Sequence, residues 1–237
     1  MLDRKSVERL IRESVERNKK GRKEHHLFNR TLVSVKEDVL PNIDFHEIIG
    51  HIERVMPPHF FDEVDDIFVG SFAENDDRSL EAHYDSGAIY ITSDLPTNRD
   101  YIENIVHETA HALEGQMGLE IYGDKKIERE FVGKRLRLSA RLKAEGFAIS
   151  GFDFEDPEYS SELDLFFYKN IGYEKLNSLT MGLFNSPYAA TSLREYFATG
   201  FAEFYTHPDE HGFLQKISPE LYKKIIVLQD PEKLDNQ

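Results

Sequence analysis

Between Thr97 and Gly115 the chain carries a helix with two incompatible faces, and this restricts what it can fold into more than any other feature. With Tyr101 as zero, Tyr101, Ile102, Ile105, Val106, Ala112 and Leu113 cluster near roughly 70°, whereas His107 and His111 fall near roughly 240° and 280°. Thr97 follows Pro96, and Asp100 three residues later completes a carboxylate variant of the capping box, so the helix has a marked start. One face must be packed against a core. The other carries His107-Glu108-Thr109-Ala110-His111, which fits H-E-x-x-H. Four steps of about 100° place the two imidazoles within roughly 40° of each other, one turn apart, where both reach one metal ion. A helix packed on one side that floors a cleft on the other is the expected arrangement.

The donors available to such a metal are limited, because the chain contains no cysteine. Disulfides and thiolate sites are excluded, and the ligands must be imidazole and carboxylate. A catalytic zinc needs three protein ligands and an open position. The residues after His111 do not continue as H-x-x-G-x-x-H, so a third histidine supplied by that extension is excluded. A later helix, within TSLREYFATGFAEFYTH, offers Glu195 and Glu203. Its apolar stripe of Leu193, Phe197, Phe201, Phe204 and Tyr205 spans roughly 160° to 280° from Glu195, which places Glu195 opposite the core. Glu203, two turns on and rotated by roughly 80°, is the less favoured choice.

The pairing of HETAH with NSPYAATSLREYFATGFAEFY resembles the catalytic domain of anthrax lethal factor and its relatives, including the Pro-Pro endopeptidases. In that family a Glu opening an E-[FY]-F-A stretch is the third zinc ligand, and a Tyr seven residues earlier hydrogen-bonds the reaction's oxyanion. Glu195-Tyr196-Phe197-Ala198 matches the first, and Tyr188 stands seven residues before Glu195. The resemblance covers residues 66–115 and 165–228. It implies a zinc endopeptidase of the gluzincin type with an α+β, zincin-like fold: a small, mostly antiparallel sheet, an active-site helix and a largely helical C-terminal half. His107, His111 and Glu195 would hold Zn2+, Glu108 would be the general base and Tyr188 a second catalytic group, acting on a polypeptide substrate. Two departures stand out. Glu195 stands 84 positions after His111, which implies a helical insertion near 119–160, and Thr199 stands where lethal factor has an acidic residue. Two other functions are compatible with the same residues: an inactive, metallopeptidase-like binding module, and a metal-dependent hydrolase of a non-peptide substrate.

The rest of the chain frames this site. DIFVGSF, EAHY and GAIYIT, over 66–92, read as strands, with Asp85-Ser86-Gly87 as a turn and GAIYIT as an edge on which an extended peptide would pair. Helices are expected over 3–18, 43–56, 126–145, 162–180 and 189–206, and again after a Ser218-Pro219-Glu220 cap. An N-terminal basic helix or arm over 1–36 would precede one catalytic domain over 37–237. Of 237 residues, the first 30 hold ten Lys/Arg against five Asp/Glu and the remainder 19 against 39, giving a net −15 that disfavours nucleic acid as a partner. The basic run at 17–26 reads as a solvated connection. No run has the length of a membrane span and the N-terminus lacks signal-peptide features, so a cytoplasmic location is expected, with non-classical export as the other route. HEIIGH at 46–51 spaces its histidines five apart, roughly 140° round a helix, which prevents a shared metal. HPDEH at 207–211 reads as a turn with exposed histidines, and His83 as a rim histidine.

Overall fold

The computed structural model describes residues 23–72 and 80–230. The helix expected over 3–18 and the tail after 230 lie outside them. The chain divides into two compact units, 1–109 and 110–237, with the division inside one helix. As expected, the class is α+β with a largely helical C-terminal half. No helix among the described residues is long and apolar enough to cross a membrane.

In the first unit, β1 (Lys23–Leu27), β2 (Thr31–Val35), β3 (Asp66–Val69), β4 (Ala82–Asp85) and β5 (Ala88–Ile91) form one sheet in the order β1-β2-β3-β5-β4. The outer pairs β1/β2 and β4/β5 are antiparallel, and the inner pairs β2/β3 and β3/β5 are parallel. The sheet is therefore mixed rather than mostly antiparallel. Both hairpins turn through two successive left-handed residues, Phe28 and Asn29 in one, Ser86 and Gly87 in the other. This turn geometry matches the twist of paired strands. Only the second was legible, because Gly87 announces it whereas Phe28 does not.

Residues 23–35, read from the sequence as part of a basic arm, are thus paired strands. Thr31, Val33 and Val35 turn to the interior, and the solvated connection expected up to residue 26 does not extend past residue 22. GAIYIT is corrected in a different respect. β5 is paired on both sides, so its backbone groups are committed and it is not an edge; β4 holds that position.

One sheet face, with Val33, Val35, Ile67, Val69, Ile89 and Ile91, is buried. Helix α1 (Phe45–Val55) buries Phe45, Ile48, Ile49 and Ile52, the period expected of a helix lying on a core. Asp44 caps it by accepting from the backbone N–H of His46 at 2.8 Å, and Pro57-Pro58 prevents its continuation. Helix α2 (Asn98–Tyr122) starts where expected, with Thr97 N–H donating to Asp100 at 2.9 Å and Asp100 N–H to the Thr97 hydroxyl at 3.3 Å. It does not stop at Gly115 or Gly118; it breaks helical geometry at Met117 and resumes to Tyr122.

The second unit continues with α3 (Lys126–Ala144), α4 (Ser161–Phe166), α5 (Tyr173–Thr180), α6 (Leu193–Thr206), α7 (His211–Ile217) and α8 (Pro219–Leu228). The helix expected over 162–180 is two helices, joined by a π turn over Phe167–Ile171 and broken at Gly172, whose φ of 80° favours glycine. The insertion expected near 119–160 comprises the end of α2, α3 and an irregular stretch over 145–160. Buried Arg135 holds that stretch through the carbonyls of Asp156 at 2.5 Å and Asp153 at 3.3 Å.

A polar cluster ties α3, α6 and α8 together. Lys134, 1% exposed, donates to the Tyr196 hydroxyl at 2.5 Å and the Ser218 hydroxyl at 2.6 Å. Tyr196 donates to Glu130 at 2.8 Å, and the Glu130 carboxylate accepts the first backbone N–H groups of α8, from Glu220 at 2.9 Å and Leu221 at 3.2 Å. Ser218 was expected to cap α8, but its hydroxyl accepts from Lys134 and the cap comes from Glu130, 90 residues away.

Burial pushes the Lys134 ammonium down to about 7, against an upward pull from Glu130. An unfolded chain binds that proton up to the ordinary lysine range, so between about pH 7 and pH 10 the unfolded state holds more protons and stability rises with pH. Above that range the sign reverses, because burial and the Glu130 charge keep Tyr196 protonated in the folded state. Urea midpoints measured from pH 7 to pH 10 should show the wild type gaining on Lys134→Met by up to about 1.4 kcal/mol per pH unit. Parallel curves would show that the buried amine stays charged.

Candidate metal centre

The H-E-x-x-H residues lie on the unbroken first part of α2, and its two faces separate as the angles predict. Tyr101, Ile102, Ile105, Val106, Ala112 and Leu113 are all buried, while His107 and His111 are half-buried. Thr109 turns its hydroxyl back to the Ile105 carbonyl at 2.7 Å, satisfying a buried polar group inside the helix. Glu195 sits in the first turn of α6, where the N-terminal end of the helix favours a carboxylate. Ser192 caps that turn, its hydroxyl accepting from the Glu195 N–H at 3.1 Å.

His107, His111 and Glu195 each present one ligand atom within 4.8 Å of the others, and they are the only such group of three among the described residues. His111 Nε2 is 3.5 Å from Glu195 Oε1. Two ligands at ~2.0–2.1 Å from a tetrahedral ion stand about 3.3–3.4 Å apart, so this pair is already spaced to share one. Glu203 does not join the group. It is two turns further along α6, with its carboxylate 3.7 Å from His207 Nδ1.

Glu108 is 7% exposed and has no hydrogen-bond or ion-pair partner among the described residues. A carboxylate is costly to bury unless something compensates its charge. A divalent cation held by His107, His111 and Glu195 would supply such compensation. The donor set, nitrogen and oxygen without sulfur, fits such an ion.

Tyr188 opens a single 3-10 turn, Tyr188–Ala190, that packs against α6, and it is half-buried. The stretch expected to be helical from residue 189 is this turn followed by the Ser192 cap. The irregular loop over 145–160 also meets the start of α6, with the Leu193 N–H donating to the Pro157 carbonyl at 2.8 Å. Tyr159, on that loop, was not anticipated from the sequence. Its phenol is pushed up to about 12 by burial, by a hydrogen bond to Asp164 and by the charges of Asp164 and Glu195.

Three further residues surround the ligands. The buried Glu114 carboxylate meets His111 Nδ1 at 3.2 Å, accepts from Arg194 Nε at 2.7 Å and accepts from the Tyr122 hydroxyl. Burial alone would raise the Glu114 pKa, but the bonds from His111, Tyr122 and Arg194 outweigh it and hold the carboxyl below its ordinary range. Glu114 was visible in the sequence as the residue three after His111. Nothing in the sequence joins it to Arg194, which is 80 positions away.

The remaining histidines are accounted for otherwise. His46 meets the ring of His25 edge-on at 4.8 Å, and His51 lies 3.4 Å from Arg54. His211 is not an exposed turn residue: it begins α7, stacks on Phe204 at 4.2 Å and bonds the Phe204 carbonyl at 2.6 Å. His207 is likewise half-buried, 2.7 Å from the Thr206 hydroxyl. His83 stacks on Tyr90 at 4.8 Å.

Compared with protein-family models, with curated proteins and with solved structures, the chain matches none.

Proposed function

We propose that the chain is a zinc-dependent endopeptidase. The observation that carries this reading is the convergence of His107, His111 and Glu195 beside a buried, unpartnered Glu108. Two imidazoles and one carboxylate are a catalytic zinc set, in contrast to the closed four-ligand sets of structural sites. A zinc ion held there supplies Lewis acidity, polarising a carbonyl oxygen and making water more acidic. Glu108, next to His107 on α2, would be the general base that takes a proton from the attacking water. It later returns the proton to the leaving amine.

Tyr188 completes the reading by resemblance. A phenol seven residues before Glu195 would donate to the oxyanion, where a hydrogen bond formed mainly in the transition state lowers the barrier. A polypeptide substrate and a cytoplasmic location belong to the same proposal. The net charge of −15 disfavours a nucleic-acid substrate.

One zinc per chain should be found by metal analysis after reconstitution, and a chain that takes up none would remove the basis of the proposal. By chelator competition, Glu195→Ala should weaken zinc binding by well over ~100-fold, beyond the usual effect of residues that only support ligands, whereas Glu203→Ala should stay within about tenfold. The reverse order would put the third ligand two turns further along α6. Glu108→Gln should keep the metal and lose peptide hydrolysis, since an amide cannot accept the proton; retained turnover would assign the base elsewhere. In Tyr188→Phe, unchanged zinc affinity with turnover lowered by ~100-fold or more is expected, and unchanged turnover would remove the phenol from the mechanism.

A further inference from the structure

We infer that Glu114 is a positioning residue that holds the His111 ring with Nδ1 as the protonated nitrogen, so that Nε2 is presented bare to the metal. The inference rests on the proposed metal centre for its consequence, but its geometry lies wholly within residues 111–195.

A neutral imidazole carries one ring proton, and the partner of each nitrogen decides which one holds it. Glu114 Oε2 is 3.2 Å from Nδ1, on the opposite side of the ring from the 3.5 Å approach of Glu195 to Nε2. An ionised carboxylate only accepts hydrogen bonds. Arg194 Nε and the Tyr122 hydroxyl donate to this same carboxylate, so both of its oxygens already serve as acceptors. Glu195 competes for the ring proton at longer range, with a side chain 16% exposed against 9% for Glu114. The shorter and better-shielded contact therefore holds it.

The carboxylate itself is fixed. Arg194 Nε reaches the same Oε2 that meets His111, and the Tyr122 hydroxyl bonds the other oxygen. Tyr122 lies beyond the break at Met117, so the irregular turn of α2 brings its phenol back towards Glu114, eight residues earlier. Arg194 precedes Glu195 in sequence, so Glu114 fixes both the ring of one ligand and the helical turn that bears another. This also bears on Thr199, which stands where the resembling family has an acidic residue. Thr199 lies midway along α6, and the carboxylate that meets His111 comes from α2 instead.

The test combines nitrogen-15 NMR of the histidine rings with zinc affinity by chelator competition. In the zinc-free wild type, at alkaline pH where the ring is neutral, His111 should show a protonated Nδ1 and a bare Nε2. A protonated Nε2 would overturn the inference. In Glu114→Gln zinc affinity should fall by ~10–100-fold, the range typical when a ligand's hydrogen-bond partner is lost. Tyr122→Phe removes a neighbouring bond but leaves Glu114 against His111, and it should cost less than about threefold on that scale. An equal loss in both variants would mean that the cluster acts through packing alone and would also overturn the inference. Should Glu114→Gln fail to fold, the wild-type ring spectrum decides by itself. Failure of the wild type to bind zinc would overturn the proposed function but not this inference, since the protonated nitrogen is read without metal.

Discussion

The position of Glu195 depends on the first turn of α6, where three consecutive side chains point in three directions. Successive helical residues are rotated by about 100°, so Arg194, Glu195 and Tyr196 cannot share a partner. Arg194 reaches Glu114, Glu195 faces His111, and Tyr196 enters the interior to meet Lys134 and Glu130. A rotation of α6 that moved Glu195 away from His111 would break the other two contacts as well. The Ser192 cap fixes where the helix begins, and therefore which residue occupies each direction.

Much of this support is polar and buried, and buried polar groups are costly unless every one is matched. The Lys134 cluster meets that requirement for three helices at once: its ammonium has two hydroxyl acceptors, Tyr196 passes a hydrogen bond on to Glu130, and the remaining lone pairs of Glu130 cap α8. Such an arrangement contributes less to net stability than to specifying one alignment, because any slip leaves a charge without partners. Glu114 shows the same logic beside His111. Glu108 is the contrasting case, a buried residue whose carboxylate has no hydrogen-bond partner among the described residues, and it is the group proposed here as the general base.

The helices were legible where local signals were strong. The capping box at Thr97 and Asp100 and the Pro57-Pro58 stop are short-range devices, and α2 starts and α1 ends within two residues of where they place them. The strands were legible only in part. EAHY, DIFV and AIYI alternate or are β-branched, and they form β4, β3 and β5, but KEHHL gives no such pattern. β1 exists because β2 offers it a partner across a turn that places Phe28 in a left-handed conformation. Strand pairing, parallel or antiparallel, is decided by distant residues, and no local pattern encodes it.

Spacing determined which face of α2 carries His107 and His111, and the opposition of Glu195 to its own helix's apolar stripe, because a helix converts sequence separation into direction. It could not determine that Glu195 and His111 would meet, since they stand 84 positions apart and packing sets that distance. Nor could it reveal that Glu114 would bind Arg194 or that Glu130 would cap α8, because both contacts join residues separated by 80 or more positions. The sequence alone determined the donors and their facing within each helix; the tertiary structure decided which helices came together, because burying charged groups is tolerable only where packing brings their partners to them.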